Sequence, residues 1–197
     1  KVLFEGDGYS EAWAKEAEKR GLPNVKTTPL ALDAMVTAKA KKLFESNNVY
    51  THGELEARHE IELEKYIKKV QIESRMMGEL ATSHILPSAI RYQNLLSNNI
   101  RGLKEAGLKE SAWSNQKQIL EKISEHINKT SDLVEKMIEA RKLCNNMDNT
   151  RTKAIAYQSQ VKDTFFDELR YHVDKLELLV DDREWYLPKY REMLFLR

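Results

Sequence analysis

Glycine and proline are scarce, seven and four in 197 residues, about half the roughly 12% share of average usage. With so little turn chemistry, a fold of many short strands is excluded. A single cysteine, Cys144, excludes an internal disulfide, and a reducing, cytoplasmic setting is the expectation. No charged segment followed by an apolar run opens the chain, and no run approaches the roughly 18 apolar residues of a membrane span. No membrane is expected as a partner. An excess of one charge is lacking too: 32 Lys and Arg face 31 Asp and Glu, for a net +1, without the basic surplus of a nucleic-acid binder. What is abundant is mixed charge, 32% of positions, beside 41% hydrophobic residues. That is the composition of long amphipathic helices, in enough chain for one domain or two.

The apolar triplet Val2, Leu3 and Phe4 runs into Gly6-Asp7-Gly8, which predicts one short strand and a turn. No second strand follows, so its sheet partners are expected upstream, in a larger protein. Ser10 predicts an N-cap for a helix packing Trp13, Ala14 and Ala17 and closing at Gly21. Thr28-Pro29 opens a second helix, with Leu30, Ala34, Met35 and Ala38 as its buried face and Asn47-Asn48 as its end. Lys39-Ala40-Lys41-Lys42 is placed at that helix's C-terminus, where cations meet the negative dipole end. Thr51 and Glu54 have the spacing of a capping box.

From there Leu55, Ile61, Tyr66, Ile67, Val70, Met77, Leu80, Ala81 and His84 keep a helical spacing up to Pro87, which should kink or divide the helix. The pattern resumes at Ile90, Leu95, Leu96, Ile100 and Leu103 and ends near Gly107. Gln116, Leu120, Ile123, Ile127, Thr130, Val134, Met137, Arg141 and Cys144 then alternate steps of four and three, a heptad seam. A last long helix carries Tyr157, Val161, Phe165, His172, Leu176, Leu179 and Val180. The aromatic stretch around Trp185 and Tyr186 is expected to lie back over the helices, followed by an apolar tail. The fold class is therefore mainly α: long antiparallel helices in a bundle, with one short N-terminal strand belonging to an upstream sheet.

Several positions carry residue types that could do chemistry. Gly6-Asp7-Gly8 lacks the third glycine of a dinucleotide loop and brings carboxylates where a phosphate would sit. Glu56 and His59 form one Glu-x-x-His unit, but no second unit exists to complete a di-metal bundle site, and His59 is assigned to a solvated flank. His84 and His172 fall on apolar stripes, where hydrogen-bonded core histidines are commonest. Cys144 reads as a small core hydrophobe, and the sequon Asn128-Lys129-Thr130 as a chance match inside a helix. No nucleophile, base and orienting acid assemble from spacing, so no catalytic, cofactor-binding or metal-binding residue is assigned.

The order of motifs carries more. The stretch from Phe4-Glu5-Gly6-Asp7-Gly8-Tyr9 through Trp13, then Arg20-Gly21-Leu22-Pro23-Asn24, Thr27-Thr28-Pro29, Ala31-Leu32-Asp33-Ala34 and Lys65-Tyr66-Ile67-Lys68-Lys69, resembles the region following the catalytic core in type III glutamine synthetases. His84-Ile85-Leu86-Pro87-Ser88, Arg170-Tyr171-His172-Val173-Asp174 and Leu187-Pro188-Lys189-Tyr190 are similar to that family's helical C-terminal extension. The resemblance covers essentially the whole chain.

It implies a parent enzyme that joins ammonia to glutamate using ATP with magnesium or manganese, working as a large, dodecamer-like double-ring homo-oligomer. It implies that residues 1–75 end the catalytic domain and residues 76–197 form the extension. The family's catalytic carboxylates and arginines are expected upstream, so Arg58, Arg75 and Arg91 are not carried over as substrate clamps, and this segment is expected to bind no cofactor. The competing expectation is a stand-alone helical interaction module without catalytic activity, motivated by the seam ending at Cys144.

Overall fold

The computed structural model describes residues 3–195, and every regular element among them is helical. They divide into two compact units, one up to Tyr66 and one from Ile67.

In the first unit the expected strand does not form. Val2 lies outside the described residues, and Leu3 and Phe4 belong to no regular element. The physical reason is local. The Leu3 carbonyl accepts from the Arg20 guanidinium at 2.6 Å, and the Phe4 ring packs on Trp13 with centroids 4.7 Å apart. The segment thus satisfies itself on helix α1 (Glu11–Lys19) instead of in a ladder. A side chain at Gly6 would meet the Phe4 ring at 2.7 Å, so the ring would have to shift to admit one. Ser10 caps α1 by accepting from the Trp13 amide, and Gly21, at φ +68°, closes it.

The single helix expected after Thr28-Pro29 is broken into α2 (Thr28–Leu32), a 3-10 turn (Asp33–Val36) and α3 (Ala38–Ser46). Thr37 makes the break: its hydroxyl donates to the Ala34 carbonyl at 3.1 Å and accepts from the Ala40 amide at 3.3 Å. A threonine that bonds its neighbours' backbone competes with the helix ladder. The broken register overturns the expected buried face. Leu30, Ala34 and Ala38 are exposed, and only Met35 of the four is half-buried. It also puts Lys39, Lys41 and Lys42 near the N-terminus of α3 rather than at a C-terminus, where Lys41 pairs with Glu56 at 2.5 Å. Asn48, at φ +51°, ends α3.

Helix α4 (His52–Leu80) starts on the expected capping box, in which Glu54 accepts from the Thr51 amide at 2.8 Å and Thr51 accepts from the Glu54 amide at 3.3 Å. Leu55, Leu63 and Tyr66 are its buried positions in the first unit, and Ile61, placed on that stripe by spacing, is exposed.

The second unit consists of three long antiparallel rods. The first is the rest of α4, a π-helical turn (Ala81–Ile85) and α5 (Leu86–Glu105). The Leu86 amide donates to the Ala81 carbonyl five residues back, and this wider turn spares Pro87 the clash with the carbonyl four residues back. The expected break at proline is thus a π turn within a continuous rod. The second rod, α6 (Ser114–Asn145), is 32 residues, about 48 Å at 1.5 Å per residue. The third runs through α7 (Thr150–Ala156), a ten-residue π-helical segment (Tyr157–Phe166) and α8 (Asp167–Leu179). The direction of neighbours follows from paired residues. Gln93 bonds Ser124 and Lys104 lies over Trp113, while His126 meets His172 and Asn145 meets Tyr157, so numbers rise on one rod as they fall on the next.

Every seam position of α6 named from spacing is buried or half-buried, with Ile123, Thr130, Met137 and Cys144 fully enclosed. One core cluster joins Ile85, Ala89, Leu96, Ile123, Leu176, Val180 and Trp185. Each such large side chain stabilises by about 1.5–3 kcal/mol through burial. On α5, Ile90 and Leu95 are exposed, and Ala89 takes the inner position. The aromatic stretch does lie back over the bundle, since Trp185 is part of this core. A short helix α9 (Tyr190–Met193) follows it. No helix among the described residues is long and apolar enough to cross a membrane.

Candidate functional site

Within the second unit, the segment after α8 folds back as a strap and walls a groove of about 580 Å³. Its floor is apolar, built from Leu80, Ile85, Leu169, Val173 and Trp185, and its rim carries Arg170, Asp174, Glu177 and Tyr190. Three fastenings hold the strap. Lys189, itself buried, donates to the Val180 carbonyl at 2.7 Å and pairs with Asp182 at 2.9 Å, and Asp182 also takes Arg191. Lys189 thereby answers one of the orphan carbonyls at the end of α8. Arg91 on α5 pairs with the Glu184 carboxylate at 3.3 Å and donates to its carbonyl at 3.2 Å. The Tyr190 amide donates to Glu177 at 2.8 Å, and the Tyr190 hydroxyl donates to Asp174 at 3.3 Å.

The electrostatics of the rim follow from these pairings. Burial, followed by the neighbouring Asp174 charge, pushes the Glu177 carboxyl above the usual carboxylate range. Arg170 balances that side, 3.5 Å from Asp174 and stacked 5.1 Å from the Tyr190 ring centroid. Each rim carboxylate is thus engaged by the protein's own donors. The groove can hold an apolar group, and its charged residues fasten the strap.

The residues singled out by sequence scatter. His84 is half-buried and stacks on Tyr186, rings 5.4 Å apart and 10° from parallel. His172 is buried and meets His126, a histidine that spacing did not mark, at 2.9 Å between Nδ1 atoms. His59 is not on a solvated flank: its side chain is only 12% exposed, with Nε2 3.2 Å from Asp33 Oδ1. Asp33 belongs to the 3-10 turn that spacing missed, which is why the flank was misread. Glu56, its partner in Glu-x-x-His, turns to Lys41. Cys144 is enclosed, and burial raises its thiol above the ordinary range, so it is an inert core residue. In the turn at Gly6-Asp7-Gly8, Asp7 accepts from the Tyr9 amide at 2.9 Å, a carboxylate spent on its own loop. Among the described residues no three His, Cys, Asp or Glu side chains gather as a metal-ligand set. Lys189 is the fastening residue that sequence reading missed. It was visible only as part of Leu187-Pro188-Lys189-Tyr190, and nothing in its neighbours' types announces a buried ammonium.

With the geometry in place, comparison with known proteins supplies what the fold alone cannot. The family model described as "Glutamine synthetase C-terminal domain" matches residues 1–104. A "Glutamine synthetase" of Bacteroides fragilis (strain YCH46) is 42% identical over 197 residues, covering 98% of this chain and 27% of the relative. A "Type-3 glutamine synthetase" of Dictyostelium discoideum is 31% identical over 200 residues, covering 100% of this chain and 27% of its own length. A "Glutamine synthetase" of Butyrivibrio fibrisolvens is 31% identical over 195 residues, covering 99% and 28%. The chain therefore spans about a quarter of the length of these relatives. On the match over its first 104 residues, the chain belongs to the glutamine synthetase family, as a C-terminal domain of the type 3 kind.

Proposed function

We propose that the polypeptide carrying this chain is a glutamate–ammonia ligase, forming glutamine with ATP, and that this chain is its structural C-terminal part. The observation that carries the reading is the family match over residues 1–104, joined to glutamine synthetase relatives that align along nearly the entire chain. The fold is consistent with the structural role, being a bundle with a fastened strap whose charged groups are paired with one another. ATP and magnesium or manganese belong, in this reading, to the rest of the polypeptide. The residues described here gather no ligand set for the metal, and no step of the reaction is assigned to them.

In the same reading residues 1–75 complete the catalytic domain, residues 76–197 form the extension, and the enzyme is a cytoplasmic, dodecamer-like double ring of identical subunits that binds neither nucleic acid nor membrane. Exposed large apolar side chains on the second unit, Ile72, Met76, Leu143, Leu178 and Tyr186 among them, support a role in subunit contact. The test is ADP release by the purified full polypeptide. Release that requires ATP, glutamate and ammonium together is expected. An intact, assembled polypeptide that releases no ADP would overturn the ligase reading and leave a helical interaction module in its place.

A further inference from the structure

Away from the groove, three polar side chains close a triangle on three rods. Gln71 Nε2 on α4 donates to Asn145 Oδ1 on α6 at 2.7 Å and to the Tyr157 hydroxyl at 3.1 Å, and that hydroxyl donates to Asn145 Oδ1 at 2.5 Å. Arg75 lies one helical turn beyond Gln71, and Arg141 one turn before Asn145, so both arginines share the faces that carry the triangle. Tyr157 ties them together: its hydroxyl lies 3.5 Å from the Arg141 carbonyl, and it feels both guanidinium charges.

Most of the other described arginines are ion-paired. Arg20, Arg91, Arg101, Arg170 and Arg191 each have a carboxylate partner, and Lys142, next to Arg141, pairs with Glu139 at 2.7 Å. Neither Arg75 nor Arg141 has an ion-pair partner among the described residues. Arg141 Nε is enclosed and donates to nothing. Burial, and after it the Arg75 charge, weigh against the charged form of Arg141. Arg141 is half-buried and Arg75 exposed, and an enclosed donor atom without an acceptor, beside a second like charge, is a place where an anion is favoured.

We propose that Arg75 and Arg141 form an oxyanion site that takes a carboxylate or phosphate group between their guanidiniums. The planar guanidinium fork matches both groups in a bidentate manner. An oxyanion would neutralise the like-charge pair and supply the acceptor that Arg141 Nε lacks. The site is separate from the strap groove, and it does not depend on the ligase reading.

The test is arginine modification of the full polypeptide by phenylglyoxal, resolved by peptide mapping, in chloride at fixed ionic strength and with added inorganic phosphate or acetate. We expect the anion to slow modification of Arg75 by about fivefold at about four times its Kd, while Arg101 reacts at an unchanged rate. The slowing should vanish in Arg141→Gln and weaken in Arg141→Lys, which keeps the charge and loses the fork. Slowing by phosphate alone assigns a phosphate ligand, and slowing by acetate as well assigns a carboxylate. An Arg75 already unreactive in chloride but released by Arg141→Gln assigns a carboxylate supplied by the polypeptide itself. Equal Arg75 rates in all three solutions, slowing that survives Arg141→Gln, or an Arg75 unreactive in both proteins would each overturn the site. Because the readout is at Arg75, phosphate bound elsewhere does not enter, and failure here leaves the ligase reading untouched.

Discussion

His126 on α6 and His172 on α8 face each other across the bundle with their Nδ1 atoms 2.9 Å apart. At that distance one ring nitrogen donates and the other accepts, so the pair accommodates one shared proton in the contact and not two. Tyr171 closes the site edge-on from α8, Lys175 adds a cation and Glu125 an anion. Burial first, and the His172 charge second, pull His126 below the ordinary histidine range.

A pH dependence follows. The unfolded chain takes up a proton at His126 near pH 6.5, where the folded chain resists it. Stability is therefore full above about pH 6.5 and falls as pH drops below it, with a slope of at most about 1.4 kcal/mol per unit for one proton, less where solvent reaches the rings. Hydrogen exchange of α6 and α8 peptides, corrected for intrinsic rates, should show protection falling as pH drops below about 6.5. His172→Gln should flatten that fall, and an identical slope in the variant would remove the pair as its cause.

How much of this was legible in the sequence depends on the element. The α6 seam alternates steps of four and three and is buried throughout, because one straight α-helix between two neighbours obeys a single period. Ile61, Ile90 and Leu95 were misplaced because hydrophobicity marks candidates for burial and not the face that a neighbour covers. The strand at Leu3 and Phe4 was a propensity that Arg20 and Trp13 override. The π-helical segment did leave a trace: Tyr157, Val161, Phe165 and Leu169 step by four three times running, too long a period for an α-helix that keeps one face inward. Of the site, the folded-back Trp185 was readable, whereas Lys189, His126 and the Arg75 and Arg141 pair depend on which rods meet, and spacing along one chain does not contain that.

The seam can be tested against an exposed control. Ile123 is fully enclosed in the core cluster, so Ile123→Ala should weaken the bundle by about 2–5 kcal/mol through lost burial and a residual cavity. Leu178, 78% exposed on α8, should tolerate Leu178→Ala with a change within about 0.5 kcal/mol. Local opening free energies from hydrogen exchange of α6 would check both, and equal effects would show that the core is misplaced.

Lys189→Met should release the strap. The substitution keeps the buried stem and removes the donor to Val180 and the partner of Asp182, at a cost of about 1–3 kcal/mol for groups left unpaired. Trp185 then loses its enclosed position, its fluorescence shifts to the red, and residues 181–188 become open to limited proteolysis. A blue Trp185 signal and an intact strap in the variant would show that Arg91 and Tyr190 suffice to hold it.

The π turn at Ala81–Ile85 makes the most specific prediction, because it joins a proline to a register. A π turn spaces its bonds by five residues where an α turn uses four, so it behaves as one extra residue within a helix. Deleting Ser83, which is exposed, should let the rod close as α-helix with Ala89, Leu96 and Ile100 still facing inward. The deletion removes the wider turn that spares Pro87 its clash, and a proline inside an α-helix costs about 3 kcal/mol. In Pro87→Ala the clash is gone, so the same deletion should cost far less. Pro87→Ala alone should change stability by under about 1 kcal/mol, since packing of α5 against α6 holds the register and with it the π turn. The two changes should therefore be strongly non-additive, with a coupling of about 2 kcal/mol or more in a double-mutant cycle read by hydrogen exchange across α5. Additive effects would mean that the π turn is set by α5 packing alone, and that Pro87 merely tolerates it.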